Sequence, residues 1–342
     1  MSVSMKDIAD NIGISQSTVS LALNNSPKIS EATKAKVQAV AEALGYQSNP
    51  YVAALMSARR HGKVPSNPPV IAMVSAARDA GAWKERHSHT RFFKGCSSVA
   101  DRLGMRIEHF WVGEEGMTAK RLNDIFYNRG ILGVIMLPAG RYRDRLNYDW
   151  KGLATITFGL YELDPATNCV MPDHYGNMEL ARKRLREEGF KRIGFVMDRI
   201  YPYQSDNRWW AAYVMGGICG QMETLEVWRD SEPDFEGFQA WFRRVNPDAI
   251  ICVYLPTVVG WLEKMGLKVP DDISVATIAG AKINGSYSGV VENGKICGKI
   301  AMDVLMDRIN RGLFDRYDSM HKVKIAGQWN QGETVSYNRD AQ

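Results

Sequence analysis

The chain has 342 residues, 45% of them apolar, and a formal net charge of +5. It is long enough for more than one domain, and it has no run approaching the ~18 apolar residues of a membrane span and no basic-then-apolar leader, so a cytoplasmic protein is expected and a membrane one excluded. Five cysteines, Cys96, Cys169, Cys219, Cys252 and Cys297, stand far apart with no C-x-x-C pair and no histidine at ligand spacing, which reads as five buried thiols and no metal site.

The first predicted elements are short helices. In MKDIADNIGISQSTVSLALNN (5–25), Ile8, Ala9 and Ile12 recur with a helical period, and Val19, Ala22 and Leu23 form a second stripe out of phase with the first. Two helices therefore meet here. Ser4 is placed to cap the first with Asp7 as its capping-box partner, Ser15 caps the second, and Gly13 supplies the turn. Ala9 is small where the helices cross. This is helix-turn-helix spacing. A hairpin that only packs is the alternative, and the agreement of caps, turn and crossing residues argues against it. The solvent side of the second helix presents Gln16, Ser17, Ser20 and Leu21, short groups able to touch base edges.

Ser30 caps a third helix whose stripe includes Ala35, Val37, Val40 and Leu44, and Gly45 ends it, giving a headpiece over residues 1–48. SNPYVAALMSARR then opens with Asn49 as N-cap and Pro50 at the first helical position, predicting a short helix over 49–60 that is marginal alone in water. A breaker-rich linker covers 61–69. Residues 1–63 carry seven basic and four acidic side chains, so most of the net charge lies there, as suits an anionic partner.

The segment MKDIADNIGISQSTVSLALNNSPKISEATKAKVQAVAEALGY, followed by YQSNPYVAAL, resembles the headpiece and hinge of the lac repressor (LacI-type) family of bacterial transcription regulators over about the first 60 residues. The resemblance implies that the second helix lies in the major groove of a pseudo-palindromic operator, and that the hinge helices of a homodimer enter the minor groove at its centre. By position it implies Gln16, Ser17 and Leu21 as base readers and Ser15, Thr18, Ser20 and Asn24 as phosphate contacts. Leu55 holds the place of the leucine that wedges a base step. Two positions depart from the family. Ser48 stands where proline is usual, with Pro50 two residues later, and Leu21 replaces a commonly polar or cationic reader, which favours contact to a thymine methyl.

Beyond the linker, strand-like apolar runs at 70–76, 106–112, 131–137, 154–158, 192–197, 249–254 and 273–278 alternate with amphipathic helical patterns, predicting a largely parallel α/β architecture over 70–342. Phe92, Cys96, Val99, Ala100 and Leu103 form one helical stripe that stops at Gly104, and Met178, Ala181 and Leu185 another that stops at Gly189. About 270 residues of such units exceed a usual doubly wound domain, so two lobes with a cleft are expected. The order of elements also resembles the family's effector domain, similar to two-lobed periplasmic sugar-binding proteins with three crossovers. This implies a small-molecule effector, a sugar or sugar acid, with Asp173 and Arg208 as contacts. Trp210 beside Arg208 suits a polar ring, whereas Asp173 equally suits a helix N-terminal acid. Ala279 and Gly280 replace the family's usual paired aspartates.

No reactive constellation points to an enzyme. GSYSG (285–289) has Tyr287 in the central place, there is no P-loop or G-x-G-x-x-G, and His87 and His89 form an H-x-H expected in a solvated loop. No cofactor is expected. The resulting expectation is a sequence-specific DNA-binding repressor controlled by an effector. The alternative is an architectural DNA-binding protein whose large domain only dimerises.

Overall fold

The computed structural model describes residues 5–23, 26, 28–46, 68–139, 142, 145–146, 150, 152–159, 167–198, 207–220, 223, 225–230, 234–314 and 321–336. The expected Ser4 cap, Asn24, the hinge helix over 49–60 with Leu55, and the linker up to residue 67 lie outside them.

The headpiece is α1 (Met5–Ile12), α2 (Gln16–Leu23) and α3 (Glu31–Ala43). Ile8, Ala9, Val19, Ala22, Val37 and Ala41 are its buried centre, ringed by Ile12, Ile14, Leu23, Val40, Leu44 and Tyr46. In α1 and α2 these are the stripes read from the sequence; in α3 Val37, Val40 and Leu44 agree, but Ala35 is exposed and Ala41 is buried in the core instead. Ser30 caps α3 by accepting from the Thr33 N–H at 3.3 Å.

The larger part begins with β1 (Val70–Ser75), α4 (Ala82–Glu85), α5 (His87–Arg102), β2 (Arg106–Trp111), α6 (Ala119–Asn128), β3 (Gly133–Met136), β4 (Ala154–Phe158) and β5 (Asn168–Pro172). It continues with α7 (His174–Glu187), β6 (Ile193–Asp198), α8 (Arg208–Ile218), β7 (Trp228–Asp230), α9 (Phe235–Val245), β8 (Ala249–Cys252), α10 (Leu255–Lys264), β9 (Ser274–Thr277) and β10 (Gly289–Val291). The chain then runs through α11 (Gly294–Asn310), β11 (Lys322–Ile325) and β12 (Gln328–Asn330). Each of the seven apolar runs forms a strand. β5, β7, β10, β11 and β12 are additional to them.

Two six-stranded sheets result, ordered β11-β5-β4-β3-β1-β2 and β12-β10-β9-β8-β6-β7. Every pairing in the first is parallel. In the second only β12 runs antiparallel, against β10. The chain passes between sheets at β5 to α7, at β10 to α11, which packs back on the first sheet, and at β11 to β12. This is the two-lobed α/β fold with three crossings.

The first lobe is filled by Phe92, Cys96 and Val99 of α5 and Cys297, Ala301, Met302 and Leu305 of α11 against Ile71, Ile135 and Ile156. In the second lobe, Met178, Ala181 and Leu185 of α7 and Trp209, Ala212 and Tyr213 of α8 cover Phe195, Ile251 and Ala276. The cysteine expectation needs one correction: Cys96, Cys169, Cys252 and Cys297 are buried, but Cys219 is exposed. It follows α8 as the C-cap, where the chain turns out to solvent. Among the described residues, no helix is long and apolar enough to cross a membrane.

Candidate DNA-reading face and interlobe cleft

The turn before α2 fixes its entry angle. Gly13, at φ 70°, takes a left-handed conformation that other residues rarely adopt. Its N–H and that of Ile14 both donate to the Ala9 carbonyl, at 2.9 and 3.2 Å. Ser15 Oγ then accepts from the Thr18 N–H at 3.1 Å, the cap expected from sequence. The Ser15 hydroxyl also lies 2.7 Å from Ser17 Oγ and 2.8 Å from Thr18 Oγ1. Three hydroxyls are thus knitted together at the N-terminus of α2, where backbone N–H groups favour a phosphate. Gln16 and Ser17 are exposed, while Ser20 and Leu21 are half-buried on the same helix. With Val19 and Ala22 locked in the core, the Gln16, Ser17 and Leu21 side is the one left to face outward.

In the larger part, all three crossings leave the carboxyl ends of strands: β5, β10 and β11. The carboxyl ends of both sheets therefore face the joint between lobes, and the crevice outside such ends is where open α/β sheets take ligands. The crossings are tied to one another. Asp173 N–H donates to Ile325 O at 2.9 Å, Asn293 Nδ2 to Ala326 O at 2.8 Å, and Gly327 N–H to Asn177 Oδ1 at 2.9 Å. His174 Nδ1 lies 3.5 Å from Glu292 Oε1, and its ring stands edge-on to Trp209 at 4.8 Å.

Asp173 caps α7, its Oδ1 accepting from the Gly176 N–H at 3.2 Å, so the helix-terminal role is real. Arg208 opens α8 in the second lobe, and its charge is felt across the joint. Burial raises the Cys169 thiol on β5, while Lys322 and Arg208 draw it back down. Arg208 is half-buried at the start of α8, the helix that follows β6. Its two aromatic neighbours diverge: Trp209 enters the second-lobe core, and Trp210 lies under the Arg229 guanidinium at 3.9 Å. Ala279 and Gly280 close β9 without carboxylates.

The H-x-H pair is not in a loop. His87 and His89 sit in the first turn of α5, where a two-residue spacing points them apart. Among the described residues, no group of three or more His, Cys, Asp or Glu side chains could hold a metal. His89 is only 4% exposed, and its ring stands edge-on to Phe158 at the carboxyl end of β4, 6.1 Å away. Burial, with Arg86 adding to it, pushes its basicity down to about 3, so it is neutral at pH 7. His109 is likewise pushed down to about 4 by burial and by Lys84, and its Nε2 is 2.7 Å from Ser75 Oγ. Sequence reasoning weighed the aromatic-rich DAGAWKERHSHTRFF run as part of a pocket, but it placed the H-x-H within it in a solvated loop and so did not single out His89.

The description "Bacterial regulatory proteins, lacI family" matches residues 4–49. The probable HTH-type transcriptional repressor ExuR of Bacillus subtilis (strain 168) is 46% identical over 286 residues, 80% of this chain and 80% of that protein. The HTH-type transcriptional repressor PurR of Mannheimia succiniciproducens is 22% identical over 79% of this chain and 80% of that protein. Among solved structures, the lac repressor dimer bound to operator and the anti-inducer ONPF is similar with a TM-score of 0.60 at 18% identity, covering 98% of this chain and 100% of that one. The transcriptional regulator CelR–cellobiose complex also gives 0.60 at 18% identity, covering 97% and 99%.

Proposed function

The chain belongs to the lacI family of bacterial regulatory proteins, and from that premise we propose how its own residues carry the work of a DNA-binding transcription regulator. It is a repressor of the helix-turn-helix type, acting on operator DNA as a homodimer under control of a small-molecule effector. Its relatives are transcription regulators rather than enzymes. A regulator of this kind works in the cytoplasm, beside its DNA.

The observation that carries the reading is the face of α2. Gln16 and Ser17 are exposed at the N-terminus of a helix whose cap, turn and buried side are all fixed by Ser15, Gly13 and Val19. Gln16 offers a donor and an acceptor to adenine, Ser17 an adaptable hydroxyl, and Leu21 an apolar contact to a thymine methyl. Ser15, Thr18, Ser20 and Asn24 hold phosphates. Ser15 is then both cap and contact, so it sets the helix and its register together. Domains follow the same assignment: headpiece 1–48, hinge helix 49–60, linker 61–69 and effector domain 70–342. Leu55 of the hinge wedges the central base step, and paying for that unstacking permits a bent, more fully contacted site.

In the effector domain, Arg208 grips the ligand, with Asp173 contributing the carboxylate oxygen not used in capping and Trp210 flanking. A ligand whose affinity differs between lobe arrangements shifts the spacing of the paired hinges, and with it their folding on DNA.

Selection of bound sequences from random DNA tests the reading. The wild type should yield a pseudo-palindrome, and Gln16→Ala should relax one position per half-site at a cost of ~1–3 kcal/mol. Genomic footprints should fall on a few such sites. Uniform coverage, or an unchanged preference in Gln16→Ala, would contradict the assignment and favour an architectural role.

A further inference from the structure

Helices in the larger part divide by how their N-termini are finished. α6, α7 and α9 are capped by the side chains of Thr118, Asp173 and Asp234. The short α4 and the longer α5, α8, α10 and α11 have no side-chain cap. Position accounts for part of the division. α6 and α9 come after β2 and β7, the edge strands of their sheets, and α7 is the first crossing. α8 and α10 follow the inner strands β6 and β8, whose carboxyl ends face the joint, and α11 is itself a crossing. Uncapped N-termini leave backbone N–H groups and the positive end of the helix dipole to whatever lies in the cleft.

The charged side chains agree in sign. On the first lobe, α5 contributes Arg86, His87, Arg91 and Lys94. On the second, the loop after β9 contributes Lys282, and α8 begins with Arg208. The two walls feel one another: the His87 ring is made less basic by burial first, then by Arg91, Lys282 and Lys94, so the cation of the opposite lobe reaches it. The acids nearby are engaged. Asp79 and Glu85 pair with Arg78 at 2.9 and 3.5 Å, Asp173 caps α7, and Glu292 faces His174. Ala279 and Gly280 add no negative charge.

A separate observation places polar ligand chemistry on the same wall. His89 is 4% exposed and Trp83 5% exposed, and His89 Nδ1 and Trp83 Nε1 have no hydrogen-bond partner in the protein. Buried polar atoms are normally satisfied, and these two flank the first turn of α5 at the carboxyl ends of β1 and β4. Arg91 stands on the next turn, its Cβ close to Gly294 at the uncapped start of α11.

Resting on the effector-regulator reading, we propose that the effector is an anion, a polyhydroxy compound bearing a carboxylate or phosphate. Its charged group is held between Lys282 of the second lobe and Arg91 with the N-terminus of α5 on the first. Walls of like sign repel across an open cleft, and an anion between them replaces that repulsion by two attractions, so it favours closure. Its hydroxyls fall to His89, Trp83 and Arg208.

Calorimetric titration of the full-length protein with glucuronate, glucose 6-phosphate, glucose and galactose tests this. One or both anions should bind with an affinity that falls as salt rises, and the neutral hexoses should bind at least about tenfold more weakly. Which anion binds distinguishes carboxylate from phosphate. Lys282→Gln, at an exposed position, and Arg91→Gln should each weaken the anion at least about tenfold while leaving the hexoses as they were. A thermal melt of each unliganded variant checks its fold. Hexoses binding as tightly as the anions would overturn the anion inference and leave the effector reading standing. Anion binding undiminished in both variants, or no saturable binding by any of the four, also overturns the inference. The regulator reading is judged separately by its operator selection.

Discussion

α5 and α11 meet backbone to backbone, whereas α7 and α8 meet across a side chain. A β-carbon on Gly95 would fall on the Lys295 carbonyl, and one on Gly298 on the Phe92 carbonyl. Cys96 Sγ donates to Gly298 O at 3.3 Å in the same contact. In the second lobe, Gly216 of α8 lies under the Arg182 guanidinium, which is 2% exposed and paired with Glu179 on its own helix. Both contacts exclude a methyl group, but only one excludes it with atoms that cannot move. A helix carbonyl is held by its own ladder, while an arginine head can be rerouted at the cost of its packing and its pair. The rigid contact is where α11 crosses back onto the first lobe, and the softer one is where α7, the first crossing, packs on α8 of the second. The two lobes thus seat their crossing helices differently, one against backbone and one against a side chain.

The largest test is Gly298→Ala. Overpacking against a carbonyl should outweigh the ~1 kcal/mol that alanine gains over glycine in a helix, for a net loss of about 3 kcal/mol in urea unfolding. A loss below about 1 kcal/mol would mean that α5 and α11 slide apart freely, and the contrast would collapse.

The second test uses pH on the same helix pair. His89 lies on α5 beside Ser88, whose carbonyl is part of the Gly294 contact. It stays neutral in the fold down to about pH 3, whereas an unfolded histidine takes up a proton near 6.5. Between those values the unfolded chain holds more protons, so acid favours unfolding. Above about 6.5 the contribution is complete. The loss should be about 1.4 kcal/mol per pH unit, or about 2 kcal/mol between pH 6.5 and 5. His89→Gln should remove that part of the slope and leave the part that His109, also held neutral by burial, adds over the same range. A wild-type unfolding free energy that is flat over this range would show that the α5 wall is wetter than its burial implies.

Little of this contrast was legible in the sequence, although most of the fold was. The headpiece could be read because Ser15, Gly13, Ser30 and Gly45 each signal a cap or turn locally, and the seven long apolar runs became strands for the same reason. β7, β10 and β12 are three residues each, too short for any period, and β11 alternates lysine with apolar residues at a sheet edge. GKICG at 294–298 offers small residues four apart, but its partner Gly95 lies some 200 positions earlier, and no local pattern names it. The lining of the cleft, unlike the cleft itself, was hidden in the same way. Arg208 was reached through a resemblance, whereas Lys282 and Arg91 converge only because the lobes bring β9 and α5 together. His89 read as a loop residue because its buried partner, Phe158, is supplied by a distant strand.

The smallest test is the softer contact. Gly216→Ala should cost only about 1 kcal/mol, because the gain in helix propensity offsets much of the price of displacing Arg182. Arg182→Met should be nearly neutral, since an apolar side chain of similar length replaces a buried cation and its partner Glu179 is 44% exposed on the side chain. The double variant then separates the two explanations for the glycine. If Gly216 is required by the guanidinium alone, alanine at 216 should cost nothing or even stabilise once methionine occupies 182, giving a coupling of about 1 kcal/mol in the cycle. If the two losses simply add, the glycine answers to the backbone of α7 instead, and the second lobe is built like the first.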